Sequence, residues 1–163
     1  IDTVLYDQYA ITDLRKSLFF SPIAGYHRFR GSYAGDLYTL FSGLATDELW
    51  ITRAECLARK GKTTEAIQEL NTLLEKRYKT GEFIPVTITD PAEALDRILL
   101  ERRKELLMRG LRWMDIKRLN KEGRGIVLKR LVEGKEYTLP PNDPRYALQL
   151  PIDIINLTGI PQN

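Results

Sequence analysis

Residues 89–119 constrain the fold more than any other stretch of this 163-residue chain. They read as a long helix, a glycine break and a short second helix. Asp90 is placed to cap the first helix: its carboxylate can accept from the free amides of the first turn, and Glu93 can reach back from three residues on. Pro91 suits the first helical position, where its missing N–H would have had no partner. Leu95, Ile98, Leu99, Arg102 and Leu106 keep helical spacing, so one apolar stripe is expected to face a core. Gly110 is expected to end the helix, because glycine takes the left-handed conformation without steric cost. Leu111, Trp113, Met114, Ile116 and Leu119 then start a second, short amphipathic helix.

The charges on this segment are ordered. Arg97, Glu101, Glu105 and Arg109 follow at four-residue steps on one face. Arg97–Glu101 and Glu105–Arg109 are attractive pairs, whereas Glu101 and Glu105 repel. A cation is therefore expected between the two carboxylates, with Arg102, Arg103, Arg112 and Arg118 as the local sources. Two carboxylates on one helical face could also bridge a metal or share acid–base work. No histidine accompanies them, and basic residues surround them. The expected role is a structural ion-pair network of Glu101, Arg102, Glu105, Arg112 and Asp115 that joins the long helix to the short one.

Composition narrows the function classes. A net charge of +3, from 25 basic and 22 acidic residues, is too small and too mixed to imply nucleic acid. Cys56 is the only cysteine and His27 the only histidine, which excludes an internal disulfide, cysteine-rich zinc sites and multi-histidine metal sites. Cys56 reads as a small core residue within a helix. No serine or cysteine nucleophile motif and no phosphate-cradling glycine loop is present, so neither a catalytic site nor a cofactor is expected.

Along the chain, residues 11–20 read as a short helix led by Thr12 or Asp13. Residues 1–45 are otherwise loop-rich, with breaks at Pro22, Gly25, Gly31, Gly35 and Gly43. Tyr26, Phe29 and Tyr33 lie on these segments. Such rings either pack the loops onto helices or form a platform for sugar rings or another flat ligand, in which an apolar ring face meets an aromatic. Residues 46–78 read as a helical hairpin, with Thr46 and Thr63 as caps. One stripe runs through Trp50, Ala54, Leu57 and Ala58, and a second through Ala66, Ile67, Leu70, Leu73, Leu74 and Tyr78. Residues 79–90 read as a linker that leans toward β structure at Val86-Thr87-Ile88. Residues 123–139 read as a small hairpin turning at Glu133-Gly134-Lys135. The tail from Pro140 holds five of the eight prolines, and 148–153 is expected to be extended and packed along the core.

Two resemblances follow from these strings. Ala54 … Gly61-Lys62-x-x-Glu65-Ala66-Ile67 … Leu70 resembles a tetratricopeptide repeat, in which small residues let paired helices approach closely. Glu101-Arg102 … Glu105-Leu106 … Gly110 … Arg112 … Asp115-Ile116 … Arg118 resembles a signature near the C-terminal end of SusD/RagB-like proteins. The Asp13-Leu14-Arg15 step, Arg53-Ala54-Glu55, Leu70-Asn71, Asn142-Asp143-Pro144-Arg145-Tyr146, Leu150-Pro151-Ile152 and the closing Gln162-Asn163 are similar to that family's text.

The expected fold is mainly α: tetratricopeptide-like helical hairpins with a small β-hairpin and an extended proline-rich C-terminal tail, as in a SusD-like α/α superhelix. Residues 1–163 are expected to form a single domain, the C-terminal portion of a longer chain, since Ile1-Asp2-Thr3-Val4 has the character of an internal segment. The resemblance implies non-catalytic binding of a nutrient, a glycan or oligosaccharide above all, by a lipoprotein exposed at the outer-membrane surface. It implies a SusC-like TonB-dependent transporter as partner and a lipid anchor on a cysteine outside this chain. The family's sugar-contacting aromatics lie mostly on loops earlier in the chain, so Tyr26, Phe29 and Tyr33 rest on the reading of the residues alone. The alternative is a helical-repeat adaptor that binds a peptide or protein partner in a concave groove.

Overall fold

Local signals place most elements of the chain. In the computed structural model, residues 3–31, 33, 38–41 and 43–162 are described. Gly35, read as a loop break, lies outside them, as do Ile1, Asp2 and Asn163. The chain parts into two compact units, Ile1–Gly110 and Leu111–Asn163, so the boundary falls at the glycine between the two helices of the 89–119 segment.

The first unit contains α1 (Thr3–Asp7), α2 (Leu14–Phe19), strands β1 (Phe20–Ile23) and β2 (Tyr26–Phe29), and helices α3 (Thr46–Arg59), α4 (Thr63–Glu75) and α5 (Pro91–Glu105). The expected hairpin is α3–α4, and α5 packs against both of its helices. Its interface is built from Ile51, Ala54 and Ala58 on α3, Ala66, Ile67, Leu70, Leu73 and Leu74 on α4, and Ala94 and Ile98 on α5, all buried. The turn after α3 is a Schellman motif: the Gly61 N–H donates to the Ala58 carbonyl and the Lys62 N–H to that of Leu57, each at 3.0 Å.

Several expectations are corrected. Thr46 and Thr63 do not cap; each is the first residue of its helix, and neither Ala45 nor Lys62, which precede them, makes a side-chain cap bond. Cys56 is exposed on the outer face of α3 rather than in the core. Residues 20–29 form an antiparallel hairpin where only helix end and loop were expected. Ala24 and Gly25 both have positive φ, the two-residue geometry whose twist matches paired strands. Val86-Thr87-Ile88 forms no strand. The Asn71 carboxamide instead accepts from the Val86 N–H (2.9 Å) and donates to its carbonyl (3.0 Å), doing the work of a neighbouring strand.

α5 begins as read. The Asp90 carboxylate accepts from the Glu93 N–H at 2.8 Å, with Pro91 in the first helical position. The helix ends at Glu105, one turn before Gly110. Its buried positions are Ala94, Ile98, Glu101, Lys104 and Glu105, while Leu95 and Leu99 are half-buried. The inward face is thus rotated from the apolar stripe and carries charge into the core.

The second unit contains α6 (Arg112–Lys121), strands β3 (Leu128–Val132) and β4 (Lys135–Leu139), a 3₁₀ turn at Pro144–Tyr146, and α7 (Ile152–Thr158). The β3–β4 hairpin has the expected position, and Glu133 and Gly134, both at positive φ, are its two central turn residues. Residues 152–153, expected to be extended, instead open α7, of which no residue is buried. A proline just before a helix loses nothing, since its missing N–H has no intrahelical partner there.

Asn120, buried at the end of α6, repeats the clamp of Asn71. It accepts from the Ile126 N–H at 2.7 Å and donates to the Ile126 carbonyl at 2.9 Å. Gln162 does the same to Leu150, at 2.9 and 3.1 Å. Asn120→Ala is expected to cost about 1–3 kcal/mol, because two backbone groups of Ile126 lose their partners together. Loss of exchange protection at the Ile126 amide, measured by NMR, checks this.

Candidate functional site

The ionic centre of the first unit starts from Asp13. Residues 12–14 run antiparallel to 77–79: the Leu14 N–H donates to the Arg77 carbonyl at 2.8 Å and the Lys79 N–H to that of Thr12 at 3.1 Å. This fixes the entry to α2. Asp13 caps α2 by accepting from the Arg15 N–H at 3.0 Å. The Arg15 side chain then folds back onto the same carboxylate, Nε to Oδ1 at 2.9 Å and Nη2 to Oδ2 at 2.7 Å.

The remaining Arg15 donors reach across to α5. Nη2 donates to Glu101 Oε2 and Nη1 to Glu105 Oε2, both at 2.8 Å. The guanidinium is therefore the cation between Glu101 and Glu105, supplied from 86 and 90 residues away rather than by Arg102, Arg103, Arg112 or Arg118. Lys104 Nζ donates to Glu101 Oε1 at 2.9 Å, and Arg97 joins that oxygen at 3.0 Å. Arg77 Nε closes Glu105 Oε1 at 2.7 Å. Tyr9 lies beside the cluster, its hydroxyl donating to the Lys104 carbonyl at 2.7 Å. Burial pushes the Tyr9 pKa well above its usual value.

Asp13, Glu101 and Glu105 side chains are at most 1% exposed, and each is met by arginine or lysine donors. Burial disfavours the Asp13 charge, but the hydrogen bonds and charge of Arg15 outweigh it and hold the carboxyl below its usual range. Such a group keeps its charge and offers no proton near neutral pH. Among the described residues no group of three or more histidine, cysteine or acidic side chains is placed to hold a metal ion.

The other residues expected in this network have partners of their own. Arg102 turns to α3, donating to Thr52 Oγ1 at 3.0 Å with Glu55 at 3.9 Å. Arg112 and Asp115 belong to the second unit, where Asp115 pairs with Arg118 at 2.9 Å. Arg109 does not pair with Glu105. It serves a second cluster, donating to the Gly43 carbonyl (3.1 Å) and Glu48 (3.3 Å), with Asp47 at 3.5 Å and the Phe41 ring beneath it at 4.5 Å. Asp143 and Arg145 repeat the Asp13–Arg15 fork, with Nε to Oδ1 at 2.8 Å and Nη2 to Oδ2 at 2.9 Å, but at the surface. That recurrence of Asp-x-Arg was the one sequence signal that could have pointed to Arg15.

The three aromatic candidates occupy different settings. Tyr26 and Phe29 are both on β2, three residues apart, so they project from opposite faces of the ribbon. Tyr26 is 73% exposed. Phe29 packs toward Phe19, and His27, on the same face, stacks on Tyr6 at 3.5 Å. The Tyr33 hydroxyl donates to Asp47 at 2.9 Å, and its ring meets Phe41 edge-on. Partial burial, then the Asp47 hydrogen bond, push its pKa up to about 12.

Known proteins resemble this chain in sequence and in fold. The model of the SusD family matches residues 48–147, which include all of α3 but its first two residues, the whole of α4 and α5, and the Asp143–Arg145 fork. The SusD-like protein P38 of Formosa agariphila is 42% identical over 79 residues, 45% of this chain and 16% of that protein. A solved SusD-like carbohydrate binding protein from Bacteroides vulgatus superposes with a TM-score of 0.62 over 96% of this chain at 21% identity, and shares its fold. This chain spans 39% of that structure's length. With the family's model matched over more than half of its residues, the chain belongs to the SusD family.

Proposed function

We propose that this chain takes part in non-catalytic binding of a nutrient glycan or oligosaccharide at the cell surface. The observation that carries this is the SusD-family match over residues 48–147, supported by the shared fold of a relative described as carbohydrate binding. In this reading the protein is an outer-membrane lipoprotein, anchored through a lipid outside these residues, that delivers its ligand to a SusC-like TonB-dependent transporter. No helix among the described residues is long and apolar enough to cross a membrane. Tyr26 offers the most exposed ring of the three aromatic candidates. Phe29 and Tyr33 would serve by supporting the loop against which a ligand rests.

The test is a glycan array probed with the full-length protein from its source cells, together with labelling of the intact cell surface. Saturable glycan binding, competed by free oligosaccharide, and surface labelling are the expected results. A protein confined to the cell interior that binds no glycan would overturn the reading and favour a peptide-binding adaptor.

A further inference from the structure

Two pockets of the first unit open beside Lys76, the residue that follows α4. One, of about 290 Å³, is lined by Trp50, Thr46, Asp47, Thr72 and Arg77. The other, of about 540 Å³, is lined by Tyr78, Phe83, Glu75, Lys79 and Thr80. Lys76 lines both. The α3–α4 hairpin creates this arrangement, because its antiparallel path brings the start of α3, with Trp50, beside the end of α4.

The chemistry of both lobes is that of sugar recognition. Each has an aromatic wall, a partly exposed Trp50 in one and the half-buried Tyr78–Phe83 pair, 5.5 Å apart, in the other. Each adds hydroxyl, carboxylate and cationic groups that can fix the orientation of a polyol. Asp47 and Arg77 are already held, by Arg109 at 3.5 Å and by Glu105 at 2.7 Å, so these polar groups are set before a ligand arrives. The lining charges, Asp47 and Glu75 against Lys76, Arg77 and Lys79, nearly balance, which favours a neutral ligand over a polyanion. The smaller lobe sits at the floor of the ~300–1,000 Å³ range of ligand sites, the size for a single ring, and the larger leaves room for more.

We propose that the two lobes form a glycan subsite that includes neither Tyr26 nor Phe29 and that adjoins Tyr33 through its hydrogen bond to Asp47. Trp50 carries one ring of a neutral oligosaccharide, Tyr78 and Phe83 carry another, and Lys76 donates to the oxygens between them. The assignment rests on the glycan-binding reading above.

The experiment uses the full-length protein and an array of neutral oligosaccharides of various linkages. Wild type is compared with Trp50→Ala, Phe83→Ala, the exposed-site variant Lys76→Ala, and Tyr137→Ala in the second unit as a control. Melting curves establish that each variant is folded. The expected result is loss of about tenfold or more in affinity for Trp50→Ala and Phe83→Ala, since truncating an aromatic anchor removes a dominant contact. Lys76→Ala should weaken the same glycans, and Tyr137→Ala should bind like wild type. Should Trp50→Ala fail to fold, Phe83→Ala and Lys76→Ala decide the matter. If wild type binds glycans and these variants bind them equally well, the subsite is overturned while glycan binding stands. If wild type binds no neutral glycan but binds acidic ones, the subsite's neutral chemistry is overturned. If it binds no glycan at all, both readings fall.

Discussion

Arg15→Ala is expected to destabilise the first unit by about 3–5 kcal/mol, the cost of removing one partner from a buried ionic group. In a unit of this size that lowers the melting temperature on the order of 10–20 °C. The effect is large because Arg15 serves three carboxylates at once, those of Asp13, Glu101 and Glu105. Without it, Lys104 is the remaining cation among them that is itself fully buried, and it reaches Glu101 at 2.9 Å and Asp13 only at 3.4 Å. Arg15→Lys should not restore stability, since a point-like ammonium cannot donate in a fork to three separate groups. Arg145→Ala is the internal contrast: it removes the same local Asp-x-Arg fork at the surface and should leave the melting temperature nearly unchanged. Thermal melts of the three variants decide this. Equal effects from Arg15 and Arg145 would overturn the central role given to the buried cluster.

The same cluster sets an acid limit. Asp13 has a lower pKa when folded than its ordinary 3.8. Its contribution is therefore fully present above about pH 4 and is lost as pH falls through the lower, folded value. Asp13→Asn should remove part of that acid dependence while lowering stability at neutral pH, because the amide still meets Arg15 but cannot balance its charge.

Leu70→Ala is expected to cost about 2–5 kcal/mol. Leu70 is wholly buried on α4, in a hairpin interface whose other members include Ala54 and Ala66, also wholly buried. Those alanines let α3 and α4 approach closely, and they have no length with which to fill a void. The cavity therefore persists, and the cost should fall in the upper part of that range. Leu49→Ala, on the exposed side of α3, should change little. Urea denaturation, read as a shift in midpoint at constant slope, measures both. A loss for Leu70→Ala below about 1 kcal/mol would mean that this interface is not closely packed.

Some of this was legible without coordinates. The repulsion of Glu101 and Glu105 at helical spacing demanded a cation, and one is present. The demand does not say which, because helical spacing relates only neighbours and Arg15 lies 86 and 90 residues upstream. The apolar stripe of α5 runs through Leu95 and Leu99, yet the helix turns Glu101, Lys104 and Glu105 inward. A hydrophobic pattern cannot register buried charge that is satisfied by a distant partner. Tyr26 and Phe29 looked equivalent as loop aromatics, but the β1–β2 pairing sends them to opposite faces. The cleft around Lys76 left no trace in the sequence, because its walls come from three separated segments.

What the sequence determined by itself was where elements start and turn: the Asp90 cap, the α3–α4 break at Gly61, the Glu133-Gly134 turn. These depend on φ restrictions and on hydrogen bonds closed within a few residues, so a short window of residues suffices. Tertiary structure alone decided which charges meet, which helix face is buried and which amide side chain clamps which strand-like segment. Those outcomes follow from how separate helices dock, and docking brings together groups whose spacing along the chain carries no record of their distance in space.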